Sequence, residues 1–283
     1  MPSTPTEIRA RILNEWTAAA QGWRTWEPHI IAFTWPMTQA IVTGLQLREG
    51  NRVLDVGCGI GDPTIGLAFA VGSTGRVVAT DPTEEMIAAA SSRAASFRLS
   101  NIDFHVTPIE DADFPDASFD AVAGRWSFIF CVDIASQLAR AHRWLKPGGR
   151  IAIATWTPQE HSPGFEAINS ALNRVADLPA LSSTKPGRLQ LADPGQLDAA
   201  LSAAGFDQIR VDPVPLSVVV GDGDQFWRMM TEMGGSLHAV VTGLTPAQRE
   251  QVRAETIAAV NRFRDGGILR IPALAQIGIG IKS

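Results

Sequence analysis

From Glu49 to Trp156 the chain alternates short β-branched runs with longer segments of helical period. The runs "RVLDVG", "RVVATD", "IDFHVT", "FDAVAGRW" and "RIAIATW" predict strands, the second and fifth almost wholly apolar. Strands buried on both faces belong to a mostly parallel sheet with helices on each side. Asp133 predicts the cap of a helix whose apolar face is Ile134, Leu138, Ala141 and Leu145, stopped by Pro147 and the Gly148–Gly149 pair. Thr83 predicts the cap of another, with Glu84 and Glu85 in the first turn, where the helix dipole favours acids. In "ADPGQLDAALSAAGF" a cap at Asp193, Pro194 at the first helical position and a terminating Gly205 frame a face of Leu197, Ala200, Leu201 and Ala204.

A sixth strand is predicted over about Ile209 to Val220, and the last is "ILRIPALAQIGIGIK", where Pro272 marks an edge or a bulge. Gly221 to Gly267 separates them with about 45 residues, far more than a hairpin needs. That insertion holds "FWRMMTEMGGSLHAVVTG" and a helix opened by a Thr245–Gln248 capping box. Pro5 to Leu45 is also helical in pattern and carries Trp16, Trp23, Trp26 and Trp35. The expected organisation is a lid segment at 1–46, a core at 47–220 and 268–283, and a second lid segment at 221–267. The fold class is α/β, a doubly wound seven-stranded sheet with its last strand antiparallel.

With 45% hydrophobic and 19% charged residues, the 283-residue chain can bury a sizeable core. No window offers the roughly eighteen uninterrupted apolar residues of a membrane span. The N-terminus lacks the basic-then-apolar layout of a signal peptide, so a cytoplasmic protein is expected. The net charge of −5 contains no basic stripe with interleaved aromatics, which weighs against a nucleic-acid partner. Cys58 and Cys131 are isolated and the five histidines lack ligand spacing, so no metal is expected.

"GCGIG" places Gly57, Gly59 and Gly61 at a strand end, where a ligand approaches the backbone or the chain takes positive φ. Neither register completes G-x-G-x-x-G, because Asp62 or Thr64 occupies the sixth position. An acid at that helix start repels pyrophosphate and suits a ligand with a positive portion. Asp81, ending the next strand, is set to accept bonds from both ribose hydroxyls of a nucleoside across the strand ends, since Thr83 offers the helix its cap. Asp55 either pairs in the interior or, the preferred reading, holds loop backbone through water.

"VLDVGCGIG", "VVATD", "DFPDASFDAV" and "LKPGGRIAIATW", in that order, resemble the class I S-adenosylmethionine-dependent methyltransferases, closest to their ubiquinone-biosynthesis-like small-molecule branch. The resemblance implies that Gly57, Cys58 and Gly59 pack against the methionine part of the cofactor. It further implies that Asp55 supports the cofactor's amino group, Asp81 holds its ribose, Pro82 and Met86 flank adenine, and Gly124 and Arg125 border the sulfonium. The family's adenine-binding acid falls at Pro108, leaving the Ile109 N–H and Glu110 as substitutes. S-adenosyl-L-homocysteine is the implied product.

No fixed base is required, because a sulfonium methyl is already activated. The weak candidates for one are His29, His161, His238 and Glu232. "GRWSF" stands where nucleic-acid amino-methyltransferases carry Asn/Asp-Pro-Pro-aromatic, and two lone thiols do not suit arsenite. The expected acceptor is a carbon, oxygen or nitrogen nucleophile of an apolar small molecule of secondary metabolism. Trp23, Trp26, Trp126, Phe128, Trp227 and Met230 are its expected lining. Arg125 either binds an anionic substrate group or pairs with Asp120 or another acid. A cyclase or isomerase working in the lid cavity is the alternative, and the chain is read as a monomer or homodimer.

Overall fold

The computed structural model describes residues 4–176, 178 and 181–283, so the first three residues of the N-terminal lid segment lie outside it. Its strands are β1 (Arg52–Val56), β2 (Arg76–Asp81), β3 (Ile102–Val106), β4 (Phe119–Arg125), β5 (Leu145–Trp156), β6 (Asp207–Val220), β7 (Arg264–Asp265) and β8 (Ile268–Ile281). Their order across the sheet is β3-β2-β1-β4-β5-β8-β6, with the two-residue β7 paired to β8. β8 runs antiparallel to both of its long neighbours, and β1 to β5 are mutually parallel. The expected architecture stands. Pro272 lies beyond the last β5 pairing at Trp156–Ala275 and is paired with β6 alone, so β8 is locally a sheet edge at the proline.

The helices are α1 (Pro5–Thr25), α2 (Glu27–Leu45), α3 (Thr64–Val71), α4 (Glu84–Ser96), α5 (Ile134–Trp144), α6 (Pro163–Val175), α7 (Gln196–Ala203), α8 (Gly223–Met233), α9 (Gly235–Gly243) and α10 (Pro246–Val260). α5 and α7 bury Leu138, Trp144, Leu197 and Leu201 against one sheet face. α2 buries Ile30, Met37 and Ile41 against the other, and that core continues into Phe226, Met230, Val252 and Val260 of the lid. The distal halves of β6 and β8 run past the end of β5 as a two-stranded ribbon, from which residues 221–267 project.

Two local expectations need correction, and one helix is not foreseen. Thr83 makes no side-chain cap; its hydroxyl instead donates to Asp81 two residues earlier, a local bond that competes with capping. Asp193 does not cap α7, which starts after Gly195 in the left-handed region; its carboxylate takes bonds from Ser183 and the Gln196 amide. α6, which the strand-centred reading misses, packs against α10, and its Phe165, Ile168, Leu172 and Val175 form a helical stripe. The caps at Asp133 and Thr245 form as expected.

Candidate active site

The loop after β1 is where bare backbone meets open space. Gly57, Gly59 and Gly61 all have positive φ. A Cβ on Gly57 would meet Ser127 at 2.4 Å, and one on Gly61 would meet Ala90 of α4 at 3.2 Å. A Cβ on Gly59 would meet nothing within 4 Å. Two glycines therefore serve packing, and Gly59 alone faces an unfilled direction. Gly124 also serves packing, since its missing Cβ is replaced by the Phe128 ring at 2.5 Å.

Asp81 ties that loop to β2. Its Oδ2 accepts from the Gly59 N–H at 2.9 Å, and its Oδ1 accepts from the Thr83 N–H at 3.0 Å and the Thr83 hydroxyl at 2.9 Å. Burial raises its pKa against those bonds. Pro82 follows half-buried, and Met86 is buried in the main core. Asp55 is paired in the interior: its Oδ2 accepts from the Thr64 hydroxyl at 2.5 Å, while Oδ1 is buried without a partner. Burial pushes its pKa to about 7. The thiol of Cys58 is buried and its pKa is driven up, so that residue contributes backbone, with its N–H given to Thr80 at 2.9 Å.

Pro108 accepts the backbone bonds of a turn from Asp111 and Ala112, and Arg140 holds the Ile109 and Glu110 carbonyls at 3.1 and 2.8 Å. The Ile109 N–H takes no partner among the described residues.

Arg125 ends β4 and pairs with Asp62, 2.9 Å away, and not with Asp120, which Lys146 takes at 2.8 Å. Both members are buried. Asp62 also accepts from Thr34 at 3.0 Å and Thr38 at 2.9 Å, so α2 is bonded directly to the glycine loop. The acid at the helix start is thereby neutralised by protein. The expectation that it awaits a cationic ligand gives way to this network.

An aromatic wall follows. Trp126 has φ of 55°, unusual for a bulky residue, and its buried indole N–H has no partner. Its ring stacks on Trp156 with centroids 4.6 Å apart and planes 6° from parallel. Trp156 meets Phe33 of α2 at 6.2 Å and Phe165 of α6 at 5.0 Å. Trp156, Phe33 and Phe165 are not marked by the sequence; a tryptophan closing β5 two residues beyond Ala154, the partner of Arg125, is the signal that points to them.

The other expected lining residues are placed differently. Phe128 is fully buried in the core on the α5 side, because the turn after Trp126 rotates it under Gly124. Trp23 donates to the Met233 carbonyl at 2.8 Å and Trp26 to Glu232 at 2.7 Å, pinning α1 and the start of α2 to α8. Trp227 and Met230 are buried in the lid core. Glu232 is thus spent on Trp26. His238 Nδ1 lies 3.0 Å from the Thr231 carbonyl, His161 is exposed, and His29 Nε2 contacts Gln225 at 3.1 Å with its Nδ1 buried and unpartnered. His29 and Glu232 both meet Trp26, the His29 and Trp26 ring centroids lying 5.2 Å apart. No helix among the described residues is long and apolar enough to cross a membrane.

Residues 53–149 match a family model described as a methyltransferase domain. Nocamycin O-methyltransferase of Saccharothrix syringae is 30% identical over 190 residues, covering 64% of this chain and 68% of that one. Aklanonic acid methyltransferase of Streptomyces sp. strain C5 is 39% identical over 125 residues, covering 44% and 57%. Several other curated relatives are spanned over only 26–53% of their length. In fold, a putative methyltransferase from Bacillus halodurans C-125 matches with a TM-score of 0.56 at 18% identity, over 87% of this chain and 98% of the other. With the glycine loop, the strand order and the aligned relatives in agreement, the chain belongs to the class I S-adenosylmethionine-dependent methyltransferases of the small-molecule kind.

Proposed function

We propose that this chain transfers a methyl group to a carbon, oxygen or nitrogen nucleophile of a largely apolar small molecule held across the carboxyl ends of β4 and β5. The observation that carries the reading is the open direction at Gly59 lying one strand from the Trp126–Trp156 wall. S-adenosylmethionine, when bound, supplies a methyl already activated by a neutral thioether leaving group. The residues present fit it. Gly59 leaves backbone room for the methionine part, Asp55 has a buried carboxylate oxygen without a partner for the ammonium side, and Asp81 sits at the β2 end for the ribose. The free Ile109 N–H supports adenine recognition in place of the acid that Pro108 displaces, with Pro82 and Met86 beside the ring and Glu110 at its edge.

What the chain then does is position and exclude water. Trp126, Trp156 and Phe33 stack and Phe165 meets Trp156 edge-on, so the apolar acceptor wall is built from two strand ends, α2 and α6. The Trp126 N–H offers a single polar contact in that wall. Names of relatives such as nocamycin and aklanonic acid methyltransferases support a product of secondary metabolism as the acceptor. A small molecule fits this wall better than a nucleic acid, given the net charge of −5.

Mass spectrometry of reactions with S-adenosylmethionine and a library of polycyclic phenols, enols and amines tests this. The expected result is S-adenosylhomocysteine formed in step with an acceptor gaining one methyl. An isomerised acceptor with no S-adenosylhomocysteine would identify the lid-cavity cyclase or isomerase instead. Calorimetric binding of NAD with none of either sulfur compound would end the methyltransferase reading.

A further inference from the structure

The segment 181–192 crosses the β4 and β5 ends. The Gly187 N–H donates to the Ile129 carbonyl just after β4, and Gln276 of β8 bridges the Thr155 hydroxyl and the Leu191 carbonyl at 3.0 Å each. This strap brings Arg188 against the aromatic wall. Its guanidinium carbon lies 4.4 Å from the centre of the Phe165 ring, the ring that packs on Trp156. Nη2 donates to the Gln159 Oε1 at 2.9 Å, an oxygen that also accepts from Asn169 at 2.7 Å. Nη1 is shielded from solvent and has no partner.

No carboxylate among the described residues lies within ion-pair distance of Arg188. Burial lowers its pKa to about 10, which leaves it cationic at neutral pH. A shielded cation without a counter-charge is costly, and proteins ordinarily pair such groups. Arg125, buried at the same edge, differs in having a counter-charge, Asp62, 2.9 Å from its Nη1, although that nitrogen makes no aligned hydrogen bond. A cavity of about 430 Å³, within the roughly 300–1,000 Å³ of small-molecule sites, adjoins the strap; Gln159, which holds Arg188, lines it with Leu181, Leu189 and Pro194, and so do the acids Glu160 and Asp193, the latter already bonded by Ser183 and Gln196.

We propose that Arg188 is the anion-binding residue of the acceptor site, so that the methyl acceptor is an apolar molecule bearing a carboxylate or phosphate group. The planar fork of the guanidinium matches either anion through two N–H groups, and the Gln159 amide fixes the fork's orientation. The apolar body then lies on Phe165, Trp156 and Trp126, which points its far end towards β4. This inference rests on the methyltransferase reading and narrows its substrate class.

Calorimetry on the full chain saturated with S-adenosylhomocysteine tests it, with 2-naphthoate, 2-naphthyl phosphate and neutral 2-naphthamide as probes. One of the two anions should bind at least about tenfold tighter than the amide, and which one does so distinguishes carboxylate from phosphate. Arg188→Gln should bring that preference to within about threefold, and Arg188→Lys should retain part of it, because a point charge lacks the fork. S-adenosylhomocysteine affinity should be the same in all three proteins. If Arg188→Gln loses cofactor binding through misfolding, the parent's preference and the Arg188→Lys value decide. Anions that bind no tighter than the amide, that do not bind by about 10 mM, or that keep their preference in Arg188→Gln overturn the proposal. Absence of S-adenosylhomocysteine binding in the parent would instead overturn the methyltransferase reading beneath it.

Discussion

Two arginines, Arg125 buried and Arg188 half-buried with its Nη1 shielded, stand at the same edge of the sheet under opposite conditions. Arg125 has a counter-charge: Asp62 lies 2.9 Å from its Nη1, though not aligned for a hydrogen bond, and itself accepts from Thr34 and Thr38. Around Arg188 the partners are an amide oxygen and an aromatic face. The first arrangement ties an N-terminal helix to the glycine loop, and the second leaves a cation for something that arrives from outside. On the proposed reading, the cofactor half of the site is preorganised by internal pairing, whereas the acceptor half is completed by its ligand.

The sharpest way to break this contrast is at Asp62. Asp62→Ala leaves Arg125 buried without a counter-charge and frees two threonine hydroxyls, at an expected cost of about 3–5 kcal/mol of stability by chemical denaturation. A loss below about 1 kcal/mol would show that Arg125 is solvated and that the two arginines are not different in kind.

Asp81 comes next. Asp81→Ala removes the acceptor for Gly59 and Thr83 as well as for the ribose, and should weaken S-adenosylhomocysteine binding by about 2–4 kcal/mol in calorimetry. Unchanged affinity would remove Asp81 from the cofactor site.

Asp55 gives a pH test of the preorganised half. Its carboxyl has a raised pKa when folded, about 7 against an ordinary 3.8, so the folded state holds the proton more tightly than the unfolded chain. Stability from this group is present below about pH 4 and is lost as pH rises towards 7. The melting temperature of Asp55→Asn relative to the parent should therefore rise between pH 4 and pH 7 and level off above. A flat difference would mean that Asp55 is ionised at no cost, its charge met by a partner.

The smallest effect is expected where the lid is pinned. Trp26→Phe deletes the bond to Glu232 and keeps most of the ring, costing about 0.5–1.5 kcal/mol. Activity should survive it, since Trp26 and Glu232 hold helices together and touch neither strand end.

The parallel half of the fold is legible because its signals are periodic or punctuated: apolar runs, a glycine loop, a capping box at Thr245. What escapes the sequence depends on choices between equivalent bonds or on distant register. Thr83 has a hydroxyl that could cap α4, yet the Asp81 carboxylate two residues away takes it. Phe128 looks as ready as Trp126 to face a ligand, and only the left-handed turn at Trp126 sends the two to opposite sides of the sheet. Arg188 sits in a stretch without marked periodicity, and its role is visible only once the strap is laid against α6 and the β5 end. An acid as the partner of Arg125 is legible in the sequence, but Asp62 is 63 positions upstream and reaches it through the fold alone.

The tryptophans have an optical consequence. The chain contains eight of them and no tyrosine, so its near-ultraviolet emission is free of phenolic background. All but Trp144 lie on the lid helices or at the β4 and β5 ends, while Trp144 is enclosed on the α5 side. The stacked Trp126–Trp156 pair couples the two indole transitions, which makes its circular-dichroism signature sensitive to small changes in spacing. Binding of an acceptor against this pair, as proposed, can therefore be followed in unlabelled protein, in real time, with Trp144 as an internal constant.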